Sequence, residues 1–265
     1  MARRILSVLA VLALALLAAS VADGRSSRSN ACGVQEYSYA GLQSETKAHG
    51  VGATLVPLET PAVSAGHVGA WIGVGGPGAG PNGSTEWIQI GFSAFHADAL
   101  SRIYYEVAVP GEDPRYVELD AGVKPGEKHR FKVLEMARRK GWWRVWLDGK
   151  AVSPAIHLPG SHGAWYSQAV AQSWNGEVNA CNKFHYRFSN VRLARSDGGD
   201  WKPLKQSIAF HDPGYRLVQT SNVPRSFLAT SLGTPHPISR VPSRVRRASA
   251  RLAALEAAKF TLSRK

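Results

Sequence analysis

AWIGVGGPGAGPNGSTEWIQIG, residues 70–91, holds two strand-like runs, AWIGVG and TEWIQIG, separated by glycine and proline. Side chains alternate across a strand, so each run divides into two faces. Glu86, Ile88, Ile90 and Phe92 share one face, and Trp87, Gln89 and Gly91 share the other. Ala70, Ile72 and Val74 likewise oppose Trp71, Gly73 and Gly75. The split extends to residues 103–108, where Ile103, Tyr105 and Val107 oppose Tyr104, Glu106 and Ala108. In residues 169–174, Val170, Gln172 and Trp174 share a face, with small Ala169, Ala171 and Ser173 opposite. One face of each run is thus aliphatic and suits a core. The other mixes Trp, Gly, Gln, Glu and Tyr, the chemistry of a concave ligand groove.

Working outward, short alternating runs with Pro-Gly, Asn-Gly and Asp-Gly punctuation continue from YSYAGLQ to FSNVRLA. They favour antiparallel strands. Lys140-Gly141 and Asp148-Gly149 are placed to close hairpins around the Trp-rich strand GWWRVWLDG. About ten strands in some 170 residues predict an all-β antiparallel sandwich or jelly roll with one core. The domain is expected over residues 32–205. A polar linker, residues 23–31, precedes it, and a loosely ordered linker, residues 206–243, follows. Residues 244–265 read as a basic amphipathic helix or flexible tail, with Val245, Ala248, Leu252, Leu255 and Leu262 on one face.

Residues 1–22 have the form of an export signal: Arg3 and Arg4, an apolar run from Ile5 to Ala19, then Ser20-Val21-Ala22. The alternative is a retained N-terminal anchor. Export places the protein outside the cytoplasm, where the two cysteines, Cys32 and Cys181, are expected to pair. Formal net charge is +13, but residues 240–265 carry eight basic residues against Glu256. The basic character is therefore mostly a property of the tail. Contact of that tail with an anionic surface is one expectation, a solvated helix the other, and no nucleic-acid partner is expected.

Several patterns fail for want of context. Gly73-x-Gly75-x-x-Gly78 runs into Pro81-Asn82-Gly83 and not into a helix, so it is no dinucleotide fingerprint. His157 and His162 are the nearest pair of histidines, and no third ligand is evident, so no metal and no cofactor are expected. A retaining glycosidase needs two carboxylates in its groove. With Glu86 on the core face, Glu106 would stand there alone.

AWIGVGG, WIQIGF, YYEV and FSNVRL, in that order, resemble segments of the glutamic peptidases, or eqolisins. These are secreted acid endopeptidases with a concanavalin A-like β-sandwich. The resemblance covers roughly residues 37–194. It implies that Gln89 sits where the family's catalytic glutamine sits, its amide stabilising the oxyanion of a tetrahedral intermediate. It also implies that Glu106 matches a second acidic residue of the groove and Trp71 a groove tryptophan. The family's catalytic glutamate, however, has no counterpart. Gln172 is the nearest equivalent in AVAQSWNG, and an amide cannot accept and return a proton. Gly75 stands where the family has an aspartate. Glu177 or Glu106 is the available substitute.

Three readings follow. The first is a secreted, monomeric sandwich that binds an extended peptide or polysaccharide across Trp71, Trp87, Tyr104 and Trp174, with peptidase activity weak or lost. The second is an acid endopeptidase that uses Gln89 with a displaced carboxylate. The third is a surface-associated structural protein acting through its basic tail.

Overall fold

Alternation of apolar and polar side chains makes strands that bury one face, and this chain stacks two sheets of them. The structure, a computed structural model, describes residues 37–177, 181–220 and 225–232. The signal, the 23–31 linker, Cys32 and the 244–265 tail lie outside the described residues.

In chain order the strands are β1 (Tyr37–Ala48), β2 (Gly50–Pro57), β3 (His67–Gly76), β4 (Glu86–Phe95), β5 (Ser101–Ala108), β6 (Arg115–Val123), β7 (His129–Glu135) and β8 (Trp142–Leu147). There follow β9 (Lys150–Ala151), β10 (Ile156–His157), β11 (Trp165–Trp174), β12 (His185–Ser196), β13 (Gly199–Pro203), β14 (Ser207–His211), β15 (Tyr215–Gln219) and β16 (Phe227–Ser231). One sheet has the order β14-β1-β11-β3-β4-β5-β6. The other has the order β10-β8-β7-β2-β12-β16-β15, with β13 on β12 and β9 on β8. All strand pairs between them are antiparallel.

The core lies between the sheets. Leu42, Ile72, Ile88, Ile90 and Phe92 of the first sheet meet Leu55, Phe131, Val133, Tyr186 and Phe188 of the second. Phe92 packs edge-on to Phe131, with ring centres 5.2 Å apart. Burying a side chain of this size stabilises the fold by about 1.5–3 kcal/mol. The turn at Asp148-Gly149 joins β8 to β9, with Leu147 opposite Lys150 and φ of 49° and 91° at the turn residues. These are the positive values that a two-residue hairpin of matching twist requires. The segment after β3 is a turn and a single 3₁₀ turn at Pro81–Gly83, not a long helix, so the glycine pattern there holds no phosphate cradle.

Residues 206–243 are not a loose linker throughout. β14 extends the first sheet beyond β1, and β15 with β16 extends the second beyond β12. Phe227 stacks on Phe188 at 4.5 Å, and Tyr215 stacks on Phe184 at 5.3 Å. Scattered Pro and Ser masked three short apolar runs, of which β15 and β16 reach the core only because strands far back in the chain await them.

Candidate functional site

The first sheet turns one face to the core and the other outward. Its outward face carries the side chains separated off by alternation. Gln89 pairs with Glu106 on one side and Gly73 on the other. Gly73 pairs with Gln168, and Gln168 with Gln43. Glu106 pairs with Tyr116. A single polar row therefore crosses six strands: Gln43, Gln168, Gly73, Gln89, Glu106 and Tyr116.

Gly73 is the low point of that row. A Cβ built there would lie 2.8 Å from the Gln89 Cβ, too close for any other residue. Gln89 and Gln168 face one another across it, with Cα atoms about 10 Å apart as next-but-one strands in a sheet. No side chain stands between the two amides, and Gln89 itself is only 4% exposed.

The Gln89 amide donates to Glu106 Oε2 at 2.9 Å and to the Tyr104 hydroxyl at 3.2 Å. A carboxylate can only accept, so its neighbour sets the orientation: Nε2 faces Glu106. Both amide hydrogens are committed, and the carbonyl Oε1 is the atom left to meet a ligand. Tyr104 stacks on Tyr116 with ring centres 4.9 Å apart, and the Tyr116 and Ser93 hydroxyls bond at 2.8 Å. Beyond them Arg102 bonds both oxygens of Asp98, at 2.7 and 2.8 Å, and Glu118 at 2.6 Å. The Arg102 hydrogen bond holds the Asp98 carboxyl below its ordinary value.

Gln172 is elsewhere on the face. It pairs with Gly69, four residues along β3 from Gly73, with Trp71 between. The Trp71 indole donates to Gln172 Oε1 at 2.8 Å, which turns the Gln172 amide nitrogen toward His67 Nε2 at 3.1 Å. His67 Nε2 is therefore the acceptor and its ring proton belongs on Nδ1. Gln172 thus orients Trp71 and His67; the residue level with Gln89 is Gln168. Extending the face split of β11 two residues toward its start would have found Gln168.

The four aromatic residues expected to bind a ligand are floor, not exposed platforms; the exposed aromatics of this face are Tyr116 and Tyr166. Trp71, Trp87, Tyr104 and Trp174 are only 2–8% exposed. Trp71 and Trp174 pack with Tyr37, Tyr39, Val170 and Phe210 in a second, smaller apolar cluster. Trp87 lies at the other end, opposite Ala108 and Gly75.

Among the described residues, Glu177 and Glu86 do not join Gln89. Glu177 follows the far end of β11, beyond Trp174, and its backbone N–H is held by Asn175. Glu86 is on the core face and wholly buried, with no hydrogen bond to either oxygen. Burial pushes its carboxyl up to about 7. Cys181 is not a free thiol.

One cluster escaped sequence reasoning altogether. His162 has its third partner not near His157, which stacks on Trp142, but in His49 and Glu135. These residues lie 86 and 27 positions apart from Glu135, and no local pattern joins them.

No family model matches the chain, and no curated protein matches it by sequence. Among solved structures it is similar to scytalido-glutamic peptidase bound to a transition-state analog inhibitor. The likeness has a TM-score of 0.52 and 14% identity over 74% of this chain and 99% of that one. This chain has a glutamic-peptidase-like fold. Lesser likenesses are to SCP-B, a member of the eqolisin family in complex with the tripeptide Ala-Ile-His (TM-score 0.45, 15% identity, 74% and 99% coverage), and to an alginate lyase from Pseudomonas aeruginosa (TM-score 0.39, 17% identity, 59% and 65% coverage). The glutamic-peptidase-like sandwich of this chain, a concanavalin A-like jelly roll, agrees with the architecture expected from its alternating runs.

Proposed function

We propose that this chain is a secreted, monomeric sandwich that binds an extended peptide or polysaccharide along the Gln43–Tyr116 row, with hydrolysis weak or lost. The observation that carries this reading is the pair of amides facing across Gly73. Gln89 and Gln168 can hydrogen-bond a ligand backbone, but neither can take and return a proton. The commitment of both Gln89 amide hydrogens to Glu106 and Tyr104 further removes it as an oxyanion donor. In this reading residues 1–22 direct export and Cys32 pairs with Cys181, stapling the start of the domain to the region before β12. The basic tail supplies a secondary contact with anionic surfaces.

A second reading has one specific observation in its favour. Glu106 is a carboxylate already bonded to the amide of Gln89, so an acid endopeptidase with a displaced base has a candidate pair. Casein digestion between acid and neutral pH, with Gln89→Ala and Glu106→Gln variants, separates the two. The binding reading expects little or no cleavage by the parent protein, and ligand affinity that falls in Gln89→Ala. Cleavage by the parent that is lost in both variants overturns it in favour of the second.

A further inference from the structure

We propose that His49, Glu135 and His162 form a site for a divalent transition-metal ion of the zinc class. His49 occupies the single-residue connection between β1 and β2, Glu135 ends β7, and His162 lies in the loop between β10 and β11. Glu135 Oε2 lies 2.6 Å from His49 Nδ1, and Oε1 lies 2.9 Å from His162 Nδ1. One atom from each residue falls within 4.8 Å of the others. The two rings are 5.1 Å apart and inclined at 64°, so both nitrogens converge on one carboxylate from different directions.

The electrostatics of Glu135 support an ion here. The carboxylate is wholly buried. Its partners are the two imidazoles and the Gly141 N–H, which donates at 2.6 Å. Among the described residues no lysine or arginine forms an ion pair with it. A wholly buried carboxylate persists only where it is paired, hydrogen-bonded or bound to a metal, and here two potential metal ligands converge on it. An ion between the three ligand atoms would pair with it.

The donor set selects the ion. Two imidazole nitrogens and one carboxylate oxygen suit Zn²⁺ or Co²⁺, whereas Ca²⁺ and Mg²⁺ favour oxygen ligands. Two ligands are already locked together: the Glu135 N–H donates to the His49 carbonyl at 2.8 Å, and the His49 N–H to the Ala194 carbonyl at 2.9 Å. His162 is the adjustable one, on a loop and with its side chain 39% exposed. Four-coordinate zinc holds ligand atoms roughly 3.3 Å apart, so binding opens the two present contacts by about half an ångström. Coordination through Nδ1 moves each ring proton to Nε2, and the exposed side of His162 leaves a fourth position for water. The ion would pin the loop that leads into β11, the strand carrying Gln168.

Untagged full-length protein, stripped with a chelator, is titrated with Co²⁺ and followed by visible d–d absorption, then challenged with Zn²⁺. The expected result is one four-coordinate Co²⁺ per chain, displaced by Zn²⁺. His162→Ala, on a surface loop, and Glu135→Gln should each weaken binding by at least the ~10–100-fold that losing an outer-shell partner costs. His96→Ala, altering an exposed histidine bonded to the Val63 carbonyl, should leave it unchanged. Absence of Co²⁺ binding by the parent protein, or equal binding by His162→Ala, overturns the proposal.

Discussion

Gln89 on β4 donates its amide hydrogen to Glu106, its directly paired neighbour on β5, at 2.9 Å. This contact makes the two residues one unit. Hydrogen bonds to charged groups contribute about 1.5–3 kcal/mol, and the partial exposure of Glu106 places this one toward the lower end. A double-mutant cycle of Gln89→Leu and Glu106→Leu, read by urea unfolding, should show coupling of about 1 kcal/mol or more. Additive effects would mean that the two side chains do not act together.

Gly73 is predicted to be intolerant of even one methyl group. In Gly73→Ala the new Cβ meets the Gln89 Cβ and the Ile88 carbonyl oxygen, both at 2.8 Å. Overpacking of this kind costs about 1–3 kcal/mol. The variant should unfold at lower urea concentration and bind groove ligands more weakly, because Gln89 is pushed from its place. An unchanged midpoint would show that the gap between the amides is not as narrow as drawn.

Stability should be greater in mild acid than in mild base. Burial raises Glu86 from 4.5 to about 7. Burial likewise raises Asp212 from 3.8 to about 6, against the Tyr39 N–H, which lowers it. A carboxyl with a higher pKa folded than unfolded binds more protons in the folded state between those values. Its stabilising contribution is therefore lost as pH rises through that window. At about 1.4 kcal/mol per tenfold change in proton affinity, the protein should be roughly 2–4 kcal/mol more stable at pH 5 than at pH 8. Asp98 works in the opposite sense, and its contribution fades only in stronger acid, as pH falls through its lowered value. Urea midpoints at three pH values test this, and Glu86→Gln should flatten the slope. A midpoint that climbs from pH 5 to pH 8 would refute it.

The C-terminal boundary of the folded unit can be tested by truncation. A chain ending at Lys205 lacks β14, β15 and β16, leaving Phe188 without Phe227 and the β1 edge without its partner. It should lose cooperative unfolding. A chain ending at residue 239 keeps all three strands and should unfold close to the full-length midpoint, as followed by tryptophan fluorescence.

Alternation is a local property, and local properties were readable. The period of two in residues 70–108 and 169–174 separated Ile72, Ile88, Ile90 and Ala171 from Trp71, Gln89, Tyr104 and Gln172, and the two sets do face opposite ways. The sandwich followed, because strands with one apolar face must bury it against another such sheet. The same alternation placed Glu86 in the core.

What the sequence could not decide were relationships between strands. Register put Gln168, and not Gln172, level with Gln89, since a shift of two residues preserves the face and leaves no trace in the pattern. Trp71 and Trp174 of the outward face share a cluster with Tyr37 and Tyr39 that covers them, because β14 brings Phe210 alongside. His49, Glu135 and His162 meet only where two sheets and a loop close on one corner. The sequence by itself determined which side of each strand a residue occupies; the tertiary structure alone decided which residue stands opposite it, because register and long-range pairing are set by packing across the whole sandwich.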